Sequence, residues 1–259
     1  TSTVAFYLDM LESMYAIVNL PGWDAVPIVA LTRQRLGAPA ALRNDANACA
    51  LAEWRFGAGR GSKNMIFLTF GTGMGAGLIL DGRLYRGTSG MAGEIGHVRM
   101  ERFGPCGYGK AGSFEGFCSG GGIRQIGRMV AAEKLQTGQS VGFCQSADDL
   151  DRITAKSIAE AAAAGDTDAI RVYEICGEKL GQGLSILIDV LNPEKIVIGS
   201  IYERSGALLK TSMEAAIARE SLAAARSVCR VVPAELGDSV GDFAAIAVAA
   251  DALERSQKK

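Results

Sequence analysis

Asn64-Met65-Ile66-Phe67-Leu68-Thr69-Phe70 runs into Gly71-Thr72-Gly73-Met74-Gly75-Ala76-Gly77, and then into Leu78-Ile79-Leu80-Asp81-Gly82-Arg83-Leu84-Tyr85. The first run is apolar and β-prone, which predicts a buried strand. The last predicts a second strand, a tight Asp-Gly turn and a third strand. The glycines between them therefore join strand to strand. A dinucleotide-binding fold or a P-loop NTPase needs a helix straight after its glycines, so that the helix N-terminus can hold a phosphate. No helix-period pattern follows Gly77, no Lys-Ser/Thr pair closes the loop, and a G-x-G-x-x-G reading puts Ala76 at the third glycine. Both readings fail. What remains is a glycine hairpin whose N–H groups can approach an anion closely, because no Cβ intervenes.

Upstream lies Asn44-Asp45-Ala46-Asn47-Ala48. A short extended segment from Pro39 to Arg43 precedes it. From Ala46 the chain reads as a helix with Ala46, Cys49, Ala50 and Trp54 on one face, stopped by Gly57. Asn44 and Asp45 thus fall at a strand-to-helix junction. Asp45 reads as an ordinary N-cap or as a general base, since a carboxylate beside a phosphate loop can accept a hydroxyl proton as the oxygen attacks phosphorus. Downstream lies Gly93-Glu94-Ile95-Gly96-His97, expected on a further strand and carrying the sole histidine. A lone His often only satisfies a buried hydrogen bond. Strand residues three apart point to opposite faces, so Glu94 and His97 converge there only if a glycine bends the chain. Together the three stretches suit a site that brings a phosphate-bearing donor to a polyol.

With these motifs in order, the chain resembles the ROK family (repressors, open reading frames, kinases), a group of sugar kinases and sugar-sensing regulators. Asn-Leu-Pro-Gly-Trp at 19–23, the stretches at 44–48, 71–77 and 93–97, and Asn192-Pro193-Glu194-Lys195-Ile196-Val197-Ile198-Gly199 carry the resemblance, which runs from about residue 8 to about residue 250. It implies an α/β, actin/hexokinase-like (ribonuclease H-like) two-lobed fold with an incomplete N-terminal lobe. It implies an ATP- and Mg²⁺-dependent, glucokinase-like hexose kinase, with a homodimer and a cytoplasmic location. The alternative is a non-catalytic sugar-binding protein or regulator. By resemblance Asp45 is the catalytic base and Asn44, Glu94, His97 and Glu115 bind sugar hydroxyls. Gly71, Thr72 and Gly73 hold the nucleotide phosphates, and Gly199 holds the adenosine. Residues 1–45 would complete the N-terminal lobe; 46–259 would form the sugar-binding and C-terminal nucleotide-binding lobe.

Three departures qualify the resemblance. The strand pair carrying the family's Asp-x-Gly-Gly-Thr phosphate motif has no counterpart here. Many members hold a structural zinc through a His and a Cys-x-Cys-Gly-x-x-Gly-Cys-x-Glu run; here that run reads Cys106-Gly107-Tyr108-Gly109-Lys110-Ala111-Gly112-Ser113-Phe114-Glu115. Structural zinc wants four ligands, and His97 with Cys106 does not suffice, so no zinc is expected. Ser200 stands where a second glycine is common after Gly199, which implies a tighter adenosine loop.

Composition bounds the rest. With 259 residues, 48% apolar, the chain can bury a sizeable core as one large domain or two lobes. A net charge of −1 offers no footprint for nucleic acid, and no helix-turn-helix with a basic face is seen. The six cysteines form no C-x-x-C pair and read as cytosolic thiols. There is no signal-peptide pattern and no apolar run of about 18 residues to cross a membrane. Helices are expected at Asp24–Leu36, Glu115–Leu135, Ala155–Ala164, Asp166–Leu191, Ser205–Arg219 and Val240–Arg255, strands at Lys195–Gly199 and Val228–Val232, and a loop at Thr137–Asp151. Gly177, Gly181 and Gly183 predict close packing of the long helix. This order implies an α/β lobe with parallel pairing.

Overall fold

The computed structural model describes residues 27–257. The Asn19–Trp23 motif and the start of the helix expected from Asp24 lie outside them. Helix α1 is Ile28–Leu36, closed by Gly37 in the left-handed conformation. Residues 38–44 form no strand, so the extended segment expected after Pro39 joins no sheet. It leads directly into α2, Asp45–Phe56.

A five-stranded mixed sheet follows. Its strands are β1 Met65–Phe70, β2 Met74–Leu80, β3 Arg83–Tyr85, β6 Lys195–Ile198 and β7 Arg230–Pro233. Their order is β3-β2-β1-β6-β7. The glycine stretch is the expected hairpin, with Phe70 opposite Met74 and β1–β2 antiparallel throughout. The Asp81–Gly82 turn has φ of +51° and +68°, as its mirror-image turn type requires. β6 and β7 pair in parallel with β1 and with each other, giving the parallel component. Between β3 and β6 come a small hairpin (β4 Cys106–Gly107, β5 Lys110–Ala111) and helices α3 Phe114–Phe117, α4 Gly120–Gln136, α5 Ala155–Ala163 and α6 Thr167–Leu191. Helices α7 Ile201–Glu220 and α8 Ala223–Val228 flank β7 on its N-terminal side, and α9 Val240–Gln257 closes the described chain.

The strand period of two sends alternate side chains into two cores. Met65 and Phe67 join Leu51, Ile79, Val197 and Ala244 under α2 and α9. Ile66, Leu68 and Phe70 join Phe114, Leu184, Ile196 and Ile198 under the other helices. The sheet is thus a layer between two helical layers. At Gly77 a Cβ would lie 2.5 Å from the Ala46 carbonyl oxygen, so this glycine lets α2 settle directly on β2. The glycines of α6 do the same against α7: a Cβ on Gly177 would meet the Leu209 carbonyl at 2.6 Å. Gly183 instead makes room for the Phe114 ring.

Several expected elements change shape. The single helix expected over Glu115–Leu135 is two, because the Ser119 hydroxyl accepts from the Gly122 N–H at 2.9 Å and starts a new helix. The Thr137–Asp151 loop contains a 3₁₀ turn over Ala147–Arg152, with Ser146 and Asp149 bonded reciprocally at its start. α7 begins four residues before Ser205, immediately after Ser200. Cys106, Cys118, Cys144, Cys176 and Cys229 are free thiols, and burial pushes Cys229 up to about 11.

One buried carboxylate was not legible as a site residue. Glu53 is 0% exposed. Its oxygens accept from the backbone N–H groups of Ala58 (2.8 Å), Glu235 (3.1 Å) and Leu236 (3.0 Å), joining the end of α2 to the loop after β7. Replacing it leaves three part-buried donors without their shared acceptor, each costing about 1 kcal/mol or more. Glu53→Ala should lose on the order of 3 kcal/mol or more in urea unfolding; a loss under about 1 kcal/mol would contradict this role for the carboxylate.

Candidate functional site at the glycine hairpin

The hairpin turn Gly71–Gly73 is the point where the separate motifs meet. Glu115, in the first turn of α3, accepts the Met74 N–H through Oε2 at 3.0 Å. A Cβ on Gly73 would come within 2.8 Å of that same oxygen. The loop carrying Glu94 and His97 lies along β2, where the Ala76 N–H donates to the Gly93 carbonyl at 2.9 Å. Side chains at Gly93 and Gly96 would collide with the Ala76 and Met74 carbonyls, so only glycine permits this approach, and Gly93 also has φ +100°. A Cβ on Gly96 would sit 3.3 Å from the Glu115 Cβ, which brings the two sequence motifs side by side.

Glu94 and His97 are not on a strand. Ile95–His97 is a 3₁₀ turn entered from Glu94, and the His97 N–H donates to the Glu94 carbonyl. Residues three apart in such a turn stack on one face. The geometric objection that a strand raised is therefore removed. Both side chains are exposed, whereas Glu115 is half-buried.

The opposite wall is the start of α2. Asn44 is the N-cap, its Oδ1 accepting the Asn47 N–H at 3.0 Å. Asp45 is the first helical residue, exposed, with Oδ1 accepting the adjacent Ala46 N–H at 2.8 Å. The N-cap reading of Asp45 is thus corrected: the cap is one residue earlier. Cβ atoms on Gly75 and Gly77 would touch Ala46, so Asp45 opens beside the second strand of the hairpin. The segment entering it is held by Arg43, whose guanidinium meets the buried Asp251 at 3.2 Å, with Arg255 on the other Asp251 oxygen at 2.9 Å.

On the nucleotide side, the Gly199 N–H donates to the Leu68 carbonyl at 3.0 Å, and a Cβ on Gly71 would lie 3.8 Å from the Ser200 hydroxyl. Gly71–Gly73 and Gly199–Ser200 therefore adjoin. Ser200 has φ +60° and ψ −107°, a backbone state that suits glycine, and its N–H is held by Glu203 Oε1 at 2.6 Å. The N-terminus of α4 was missed as a neighbour: the Gly120 N–H donates to the Gly71 carbonyl at 2.8 Å. Its signal was the Ser119-Gly120-Gly121-Gly122 string, a serine cap followed by glycines.

The residues that would hold the family's structural zinc do not fit one. Of the four ligand positions only His97 and Cys106 have suitable side chains; Tyr108 and Ser113 occupy the others. The Ser113 hydroxyl is engaged, accepting the Gly116 N–H at 3.0 Å and donating to the Gly107 carbonyl at 3.3 Å. Among the described residues no three or more His, Cys, Asp or Glu group to hold a metal, and no helix is long and apolar enough to cross a membrane.

Comparison with known proteins agrees with this geometry. The ROK family model matches residues 9–252. The glucokinase of Halalkalibacterium halodurans is 38% identical over 74% of this chain and 58% of its own length. The DNA-binding transcriptional dual regulator NagC of Escherichia coli is 33% identical over 88% of this chain and 54% of its own. The chain thus spans less than three fifths of either relative. A solved ROK family glucokinase from Streptomyces griseus, in complex with glucose and AMPPNP, superposes with a TM-score of 0.71 at 32% identity, covering 85% of this chain and 70% of that one. With its sheet and these matches in agreement, the chain belongs to the ROK family and shares its actin/hexokinase-like fold.

Proposed function

We propose that this chain contributes the acceptor site and catalytic base of an ATP-dependent hexose kinase of the glucokinase type. The observation that carries the reading is the register at the start of α2. Asn44 takes the capping role, which leaves the Asp45 carboxylate exposed above the hairpin rather than consumed in ending the helix. In this reading Asp45 accepts the proton of the sugar hydroxyl as its oxygen bonds to the γ-phosphorus and the bond to ADP breaks. Glu94 and His97, stacked on one 3₁₀ turn, and Glu115, locked to the Met74 N–H, hold the sugar's vicinal hydroxyls. Asn44 keeps its amide NH₂ to donate to another.

Gly71, Thr72 and Gly73 present backbone N–H groups to the phosphates, with the α4 N-terminus alongside, a combination that favours anions. Gly199 lies next to this turn and receives the adenosine. Mg²⁺ of the nucleotide would be held by the phosphates and water rather than by a protein cage, in keeping with its usual coordination. Similarity to glucokinases and to a glucokinase solved with glucose and AMPPNP supports the reading. The 33% identity to a regulator favours one alternative, a sugar-binding protein without turnover. ADP release measured across a panel of hexoses separates them: sugar-dependent release supports the kinase, and sugar binding without release supports the regulator.

In the protein that turns over, Asp45→Asn should lower kcat by about 10²–10⁴ while hexose affinity stays within a few-fold. Near-wild-type turnover would remove Asp45 from the role of base.

Hexose binding tests the other wall independently of turnover. Glu94→Gln or His97→Ala should weaken glucose binding by roughly 1–3 kcal/mol in calorimetry, the cost of leaving a polar partner unmet. Deoxy-hexoses lacking a contacted hydroxyl should be rejected strongly. Equal affinity for glucose and its deoxy analogues would contradict the assignment of these side chains.

A further inference from the structure

The chain keeps the loop that a structural zinc ties down in many ROK proteins, but lacks the ligands to bind one. The structure shows what occupies each position instead. The backbone of Cys106 is gripped at both ends by one amide: its N–H donates to Gln125 Oε1 at 2.9 Å, and its carbonyl accepts from Gln125 Nε2 at 2.9 Å. This is a two-point bond of the kind a neighbouring strand would make, delivered from α4. The Ser113 hydroxyl joins the hairpin to α3 through the Gly107 carbonyl and the Gly116 N–H. The Tyr108 ring meets the His97 ring edge-on, centroids 6.2 Å apart at 80°. Lys110 Nζ, from the returning strand, donates to the His97 carbonyl at 2.6 Å.

Two of these contacts end on His97 itself, and the others hold the hairpin that packs against Glu115. A Cβ on Gly107 would lie 2.5 Å from the Gly116 N and 2.8 Å from the Glu115 Cβ, so the hairpin packs directly against the turn that presents Glu115. The Tyr108 and Lys110 contacts fall on His97 itself. The hairpin is therefore the piece that sets Glu115 and His97 relative to each other.

We infer that Gln125, Ser113, Tyr108 and Lys110 form a metal-free clamp that positions His97 and Glu115, doing by hydrogen bonds and ring packing what zinc ligation would do. The inference rests on the reading that these two residues face the sugar. Gln125 and Ser113 act as positioning residues, since neither is placed against the sugar. The site's geometry then needs no zinc and no thiolate ligand, whereas a thiolate-bound site would respond to zinc supply.

The test uses the 259-residue chain. Gln125→Ala should speed amide hydrogen exchange over residues 106–116 by about tenfold or more while β1 amides keep their protection. The same variant should weaken glucose binding by roughly fivefold, since supporting contacts fix the geometry of the residues they hold. Ser113→Ala should shift both readouts in the same direction. Adding Tyr108→Cys and Ser113→Cys to Gln125→Ala completes four zinc ligands with His97 and Cys106, so about one equivalent of added Zn²⁺ should restore slow exchange, and a chelator should reverse it. Wild-type protein should show neither zinc uptake nor a response to the chelator. Unchanged exchange in both Gln125→Ala and Ser113→Ala, or stoichiometric zinc in the wild type, would overturn the clamp. Wild-type protein that binds no hexose while the exchange results hold would instead overturn the sugar-site reading and leave the clamp standing.

Discussion

The structure depends on how closely its backbone can approach strand β2. α2 lies on one part of this strand because Gly77 carries no side chain, and the loop of Glu94 and His97 lies on it because Gly93 and Gly96 carry none. Between the two, the turn at Gly71–Gly73 accepts Glu115, Gly120 and Ser200 as neighbours. Three glycines thus convert an ordinary antiparallel strand into a seam where separate chain segments meet. A methyl group at Gly77 would already press on the Ala46 carbonyl, in a layer where added volume is strongly resisted. The site is therefore built by backbone proximity first, and its polar side chains are carried in on segments the glycines admit.

Rigidity comes from buried polar fixtures behind the site. Glu53 holds the far end of α2 to the loop after β7, and the Arg43–Asp251–Arg255 set holds the residue before Asn44 to the closing helix. Both ends of α2 are consequently pinned, while Asp45 alone in its first turn stays exposed. This arrangement suits a carboxylate that must remain exposed yet fixed, because a positioned group loses little entropy when its partner arrives. The clamp on the 106–111 hairpin plays the matching role for the opposite wall.

The sheet and the motif order were legible because strand alternation, the Asp-Gly turn and the glycine run each have a strong local signal. The residues around the turn were legible as motifs, but their conformations were not. Gly93-Glu94-Ile95-Gly96-His97 was expected on a strand; packing against β2 instead folds it into a 3₁₀ turn. Asp45 stayed open between cap and base because Asn and Asp are interchangeable as caps by propensity, and only the register of the helix distinguishes them. The break at Ser119 was hidden by a long helix-compatible pattern, although a serine before three glycines marks a new start. Glu53 sat at the i+7 position of the apolar stripe begun by Ala46, a carboxylate where the pattern calls for a hydrophobe. Two of its partners, Glu235 and Leu236, lie almost two hundred residues later in the chain and could not be read from that spacing.

The central claim is that one loop system around the glycine hairpin receives the hexose. The most direct measurement is a backbone NMR titration of the chain with glucose. The account predicts that the shifted amides cluster at Asp45–Ala46, Gly73–Gly75, Gly93–His97 and Glu115–Gly116, four segments remote in sequence that meet at the hairpin. Shifts confined to residues away from this seam, with these amides unmoved at saturation, would contradict it.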